Sequence, residues 1–177
     1  MKPFLMRSFL LALVTAMVTA AVTVILYTPV SVAIFKLTEP VFGYPVKGDI
    51  GKMTIRNDVL GDGDFGAKRS GGRTHSGIDI SAAMNSPVYA SKSGIVFRGN
   101  VPTGYGKYIL IYHPDGTQTM YGHLSGWAVN TGKQVRKGDL IGFVGKTGNA
   151  KNKNILPHLH FEIRTDGDPV DPVGAMR

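Results

Sequence analysis

The chain has 177 residues, with 20 Lys and Arg against 12 Asp and Glu, a formal net charge of +8 and a pI near 9.8. It contains no cysteine, which excludes disulfides, a cysteine nucleophile and thiolate metal ligands. The basic balance predicts attraction to anionic partners such as phospholipid headgroups or acidic polymers. Nucleic acid is not expected, because the chain has no RNA-binding aromatic signature, no Walker-type loop and no helix-turn-helix pattern.

From Ser8 to Phe35 the sequence carries no charge, with Lys2 and Arg7 before it and Lys36 after it. Twenty such residues span about 30 Å as a helix, enough for a bilayer core. Pro29 predicts a kink or the end of that helix. A cleaved signal peptide is the rival reading, but its apolar region is normally about 7 to 15 residues, so an uncleaved anchor is favoured. In both cases Lys2 and Arg7 stay inside and the residues after about 36 are exported.

Residues 1–35 thus read as the membrane segment, 36–50 as linker and domain entry, and 51–177 as one β domain. Glycine is abundant, at 23 residues, and the exported part consists of short strand-like runs between turns. These are "SPVYA", "GIVFRGN", "KYILIYH", "TQTMYGHL", "LIGFVG" and "HLHFEIR". The "PDG" at 114–116 predicts a hairpin between "KYILIYH" and "TQTMYGHL", since proline fixes φ and glycine supplies a positive one. "VRKGDLIGFVGKTG" predicts two more strands about a tight turn at Lys137–Asp139. With no helical periodicity between these runs, the fold class is all-β and antiparallel, a sandwich or a barrel.

The chemistry concentrates in a few polar groups. His158 and His160 stand two apart in an apolar strand and so share a face, about 7 Å apart. Upstream, His75 and Asp79 bracket Ser76, Gly77 and Ile78; on a straight strand they lie about 13 Å apart, so a bend near Gly77 is needed to bring both to one ion. His123 in "MYGHLS" is a further candidate. Two His and one Asp satisfy a catalytic zinc site, which takes three protein ligands plus water. Spacing alone leaves open which histidine of the pair is the ligand. H-E-x-x-H is absent, so a base other than that glutamate is required, and a neutral histidine suits. Glu162, two residues after His160, shares its strand face, which allows a contact behind that ring, but an ordinary structural role is the favoured reading. His113 reads as a turn or edge residue, while Tyr121 and Thr147 are placed near the cleft by position only.

"HSGIDI" (75–80), "MYGHLS" (120–125) and "PHLHFEI" (157–163), in this order, resemble the lysostaphin-type, LytM-like zinc metallopeptidases of peptidase family M23. The similarity runs from "YPVKGDI" through "FGAKR", "GYGKYILIYH" and "VRKGDLIGFVGKTG" to "VDPVG". It implies a compact antiparallel β domain with a groove floored by a sheet. It further implies one Zn²⁺ per chain held by His75, Asp79 and His160, with His123 and His158 as catalytic histidines. The implied activity is hydrolysis of peptide bonds in bacterial peptidoglycan, at stem-peptide crosslinks or bridges. With the anchor, that implies a single-pass protein of the cytoplasmic membrane whose domain faces outward, with anionic envelope polymers as further partners. The alternative is a non-catalytic domain of the same fold that binds peptidoglycan or regulates another hydrolase. Two departures stand out: Lys68 occupies the usual arginine position of Phe-Gly-x-Arg, with Arg69 one step later, and "GKMTIRNDVLGDGD" reads as an insertion beside the cleft.

Overall fold

The computed structural model describes residues 3–47 and 53–176. The chain divides into two units, residues 1–38 and 39–177. The first is a single helix, α1 (Pro3–Thr38), whose apolar stretch Met6–Thr38 is long and apolar enough to cross a membrane. It continues through Pro29, so the helix does not end there. Proline removes one backbone hydrogen bond, here the one that would reach Ile25 O, and the hydroxyls beside it bond to other carbonyls of the same stretch. Thr28 Oγ1 donates to Val24 O and Ser31 Oγ to Thr28 O, each at 2.8 Å. Lys2, residues 48–50 of the expected linker and residues 51–52 of the expected β domain lie outside the described residues.

The second unit is antiparallel β. Its strands are β1 (Asn57–Asp58), β2 (Gly61–Asp62), β3 (Ile78–Ser81), β4 (Pro87–Tyr89), β5 (Gly94–Asn100), β6 (Lys107–Tyr112), β7 (Gln118–Gly122), β8 (Gly126–Trp127), β9 (Gln134–Val135), β10 (Leu140–Phe143), β11 (His158–Thr165) and β12 (Asp168–Val170). A seven-stranded sheet runs β12-β11-β7-β6-β5-β9, with β3 also on β11, and a three-stranded sheet runs β4-β10-β8. Both sheets feed one apolar core: Ile78, Val96, Ile109, Ile111, Leu159 and Phe161 from the large one, Val88 and Ile141 from the small one. The all-β expectation holds, as does the "PDG" hairpin, which joins β6 to β7.

The two strands expected about the tight turn at Lys137–Asp139 form, as β9 and β10, but they do not pair with each other. β9 pairs with β5, whereas β10 pairs with β4 and β8, so the turn carries the chain from one sheet to the other. The start of this unit is packed rather than loose: Phe42 is buried, bridges Met176, and Gly43 N–H donates to Ser91 O at 2.7 Å.

β11 positions the site. Its odd residues Leu159, Phe161 and Ile163 enter the apolar core, so period-two alternation turns His158, His160 and Glu162 to the opposite face. One edge of β11 pairs with β7 over residues 160–164. The other edge is shared, with β3 taking residues 158–161 and β12 residues 163–165.

Candidate metal centre and active site

Register places Asp79 of β3 directly across from His160 of β11. His75 precedes β3, and bends at Ser76 and Gly77 fold it back onto the same spot. Gly77 is required there, because a Cβ would come within 2.2 Å of Phe161 O. His75 Nε2 then lies 3.0 Å from His160 Nδ1 and 3.1 Å from Asp79 Oδ1, with His160 Nδ1 2.9 Å from the same oxygen. Donors about 2.0–2.2 Å from a tetrahedral ion stand roughly 3.3 Å apart, so this triangle fits a zinc ion. His75, Asp79 and His160 form the one cluster of metal-ligating side chains among the described residues.

The far side of each ring supports that fit. His75 Nδ1–H donates to Asp64 O at 2.8 Å, leaving Nε2 as the lone-pair nitrogen. His160 Nε2–H donates to Glu162 Oε1 at 2.9 Å and turns Nδ1 to Asp79. Burial opposes the charge, but before a metal binds these two carboxylates hold the imidazole up at about 9, so Nδ1 gives up its proton on binding. Metal-ligating histidines characteristically give their second N–H to a carbonyl or carboxylate, which fixes ring and tautomer. Glu162 is fully buried, accepts also from Ser76 Oγ and Tyr105 Oη, and pairs with Arg164 at 2.6 Å. Burial would push its carboxyl up, but the His160 bond, that charge, Ser76 and Arg164 together hold it down to about 2. Burial likewise disfavours the Asp79 carboxylate, yet the bond from His160, the neighbouring His75 and the charge on His160 keep it well below the usual range.

His123 and His158 complete the cluster. Their rings lie 5.0 Å apart, and His123 is 5.7 Å from His160. His158 Nδ1–H donates to Leu156 O at 2.7 Å and His123 Nδ1–H to Thr147 O at 2.9 Å. A carbonyl only accepts, so each ring keeps its Nε2 unprotonated. His123 adopts φ +61°, a left-handed conformation uncommon outside glycine, directly after β7. Its backbone N–H is tied to Tyr105 O at 2.7 Å. Burial, then the neighbouring His160 and His158, push the His123 imidazole down to about 3. Burial also lowers His158.

These groups line a cleft of about 470 Å³ together with Arg56, Arg69, Arg73, Tyr105 and Asn149. The structure thus brings all five expected site residues together, and Glu162 is in contact with His160. Sequence reasoning missed Arg56 and Tyr105. Arg56 is buried, with Nη2 2.9 Å from Asp79 Oδ2 and Nη1 2.6 Å from Asp58 Oδ2. Asp58 Oδ2 also accepts the Leu156 N–H at 3.2 Å, one peptide unit from the carbonyl that orients His158. Both residues come from the segment read as an insertion. Thr147 acts through its carbonyl, whereas Tyr121 is buried in the core and does not line the cleft. His113 flanks the hairpin turn, as expected, its N–H donating to Thr117 O at 3.0 Å, and its ring is buried between Ser93 O at 2.9 Å and Thr119 Oγ1 at 3.0 Å.

A family model described as peptidase family M23 matches residues 73–172. The chain belongs to this family. It is 45% identical over 104 residues to the DD-carboxypeptidase/endopeptidase Mpg of Neisseria meningitidis, covering 58% of this chain and 23% of that protein. It is 36% identical over 101 residues to the peptidoglycan DD-endopeptidase ShyA of Vibrio cholerae, covering 57% and 23%. A crystal structure of a zinc-containing peptidase from Vibrio cholerae superposes with a TM-score of 0.59 at 30% identity, over 73% of this chain and 38% of that one. The chain therefore spans less than a quarter of the length of these curated M23 relatives.

Proposed function

We propose that this M23 member is a zinc-dependent endopeptidase that hydrolyses peptide bonds in bacterial peptidoglycan. The observation that carries the reading is the convergence of His75 Nε2, Asp79 Oδ1 and His160 Nδ1 at 2.9–3.1 Å, with the other ring nitrogen of each histidine tied to a carbonyl or a carboxylate. ShyA, by its name, acts on peptidoglycan, and one structural neighbour contains zinc. Zinc held by His75, Asp79 and His160 would supply Lewis acidity to the scissile carbonyl and the attacking water.

The remaining work falls to the chain's own residues. His123 and His158 offer unprotonated Nε2 atoms at the cleft, suited to take a proton from the attacking water and deliver it to the leaving amine. Thr147 O and Leu156 O hold those rings in that tautomer. Deep burial of both rings keeps them neutral and ready to accept a proton.

We further assign residues 1–35 to a single-pass anchor in the cytoplasmic membrane, with the β unit on the outer face. Support comes from the length and apolarity of α1 and from the basic residues flanking its start. The net charge of +8 favours retention near anionic envelope polymers.

The test is digestion of purified peptidoglycan by the full-length protein in detergent, with fragments identified by mass spectrometry. Fragments should appear with zinc, vanish with chelator, return on adding zinc, and be absent with His160→Ala. Fragments that persist under chelator, or binding without any cleavage, would overturn the proposal.

A further inference from the structure

Residues 68–74 fold back on themselves at the mouth of the cleft. Lys68 bridges Thr74, and Arg69 N–H donates to Arg73 O at 2.9 Å, so Arg69 and Arg73 face each other across the turn Ser70–Gly72. Like charges directly opposite on an antiparallel pair repel and destabilise it. Both side chains nonetheless line the same cleft.

Their charges are poorly answered from within. Among the described residues lining the cleft, Asp79 is the one carboxylate, against Arg56, Arg69 and Arg73. Asp79 Oδ2 is already held by Arg56 at 2.9 Å, and Arg69 Nη2 stands off at 3.5 Å. That Arg69 nitrogen is buried and makes no hydrogen bond. Arg73 is exposed, and Nε reaches only a backbone carbonyl, Ser70 O, at 3.3 Å. Arg69 Nη1 reaches only the Lys68 carbonyl, at 3.4 Å. Both guanidiniums thus line one cleft with weak partners and N–H donors to spare, the donor pattern that suits the planar oxygens of a carboxylate.

We propose that Arg69 and Arg73 form a carboxylate-binding subsite, so that the preferred substrate is a peptide with a free carboxylate on a residue flanking the scissile bond. This rests on the peptidase reading above and adds to it the charge class of the substrate. An incoming carboxylate relieves the repulsion between the two arginines, and it fixes the peptide on the His75 side of the cleft. Attraction of this kind weakens as salt rises.

The experiment compares two synthetic crosslinked wall peptides that differ only in a carboxylate or a carboxamide beside the crosslink. They are used with the full-length zinc-loaded protein and with Arg69→Gln, Arg73→Gln and Arg73→Lys, thermal melts confirming that each variant folds. The carboxylate peptide should be preferred by roughly tenfold in kcat/KM, mainly through KM, the scale of one charged hydrogen bond. The preference should shrink with added salt, fall toward one in either glutamine variant, and be partly kept by lysine.

Equilibrium binding of both peptides to the metal-free protein, by calorimetry, separates this proposal from the catalytic one. A carboxylate preference in binding that the glutamine variants lose supports the subsite even if neither peptide is cut. Equal binding of the two peptides by the wild-type protein, or a preference unchanged in both glutamine variants, overturns it whatever the activity.

Discussion

The Arg56 guanidinium stands 2.9 Å from Asp79 Oδ2 while Oδ1 of the same carboxylate faces His75 and His160. The two oxygens of one side chain are therefore divided between a fixed internal cation and the candidate ion. Arg56 orients Asp79 and reserves a single oxygen for the metal. Removing one member of a buried pair leaves the other uncompensated, at a cost of about 3–5 kcal/mol. Arg56→Ala is expected to lose that much in the metal-free protein, read by urea unfolding. Saturating zinc should recover part of the loss, because the ion binds the folded state and answers the stranded charge.

Glu162→Gln tests the carboxylate behind His160. The amide offers Oε1 to the His160 N–H but no charge, and it leaves Arg164 without its partner. Zinc affinity, measured by competition with a chromogenic chelator, should drop about 10–100-fold. An unchanged affinity would mean that His160 needs no support from Glu162.

Gly77→Ala should be among the most damaging small substitutions in the β unit. Its Cβ would fall 2.2 Å from the Phe161 carbonyl oxygen, a backbone atom fixed in the β11 ladder. β3 must then move away from β11, taking Asp79 and His75 with it. A loss of at least about 3 kcal/mol is expected in thermal or urea unfolding.

How much of this was legible in the chain can be judged from particular residues. The HxH pair was readable because strand period is rigid at two, and the "PDG" hairpin because its turn chemistry is local. The same period gave the face of Glu162, but a structural role was the favoured reading, and its bond to His160 depends on the depth at which β11 is buried. Arg56 was not readable: it touches Asp79 across 23 positions in sequence, and nothing in "TIRNDV" distinguishes a buried arginine from a solvated one. The strands flanking Lys137–Asp139 were visible, but their partners were not. Whether a tight turn closes a hairpin or crosses between sheets depends on where distant strands lie, which local pattern does not encode.

His113 supplies a pH test away from the metal centre. Burial is the main cause of its lowered pKa, with Lys92 adding to the effect and Ser93 O, Asp115 and Glu39 opposing it. Its Nδ1–H donates to Ser93 O, so Nε2 accepts from Thr119, whose hydroxyl also meets Tyr121 Oη at 3.0 Å. Below about 6.5 the unfolded chain binds a proton that the folded one refuses, so stability falls as pH drops from there toward the folded value, and His113 adds no slope above it. Urea unfolding at stepped pH should show that slope, and His113→Gln should flatten it relative to the wild type.

The double use of β11 has one more consequence. A slip of a single residue against β7 or β3 would not merely loosen the sheet; it would exchange the two faces, turning Leu159, Phe161 and Ile163 to the cleft and sinking both histidines and Glu162 into oil. No partly assembled site lies between those states. Burial of the three apolar residues and presentation of His158, His160 and Glu162 to the cleft are therefore one event, the docking of β11 in register.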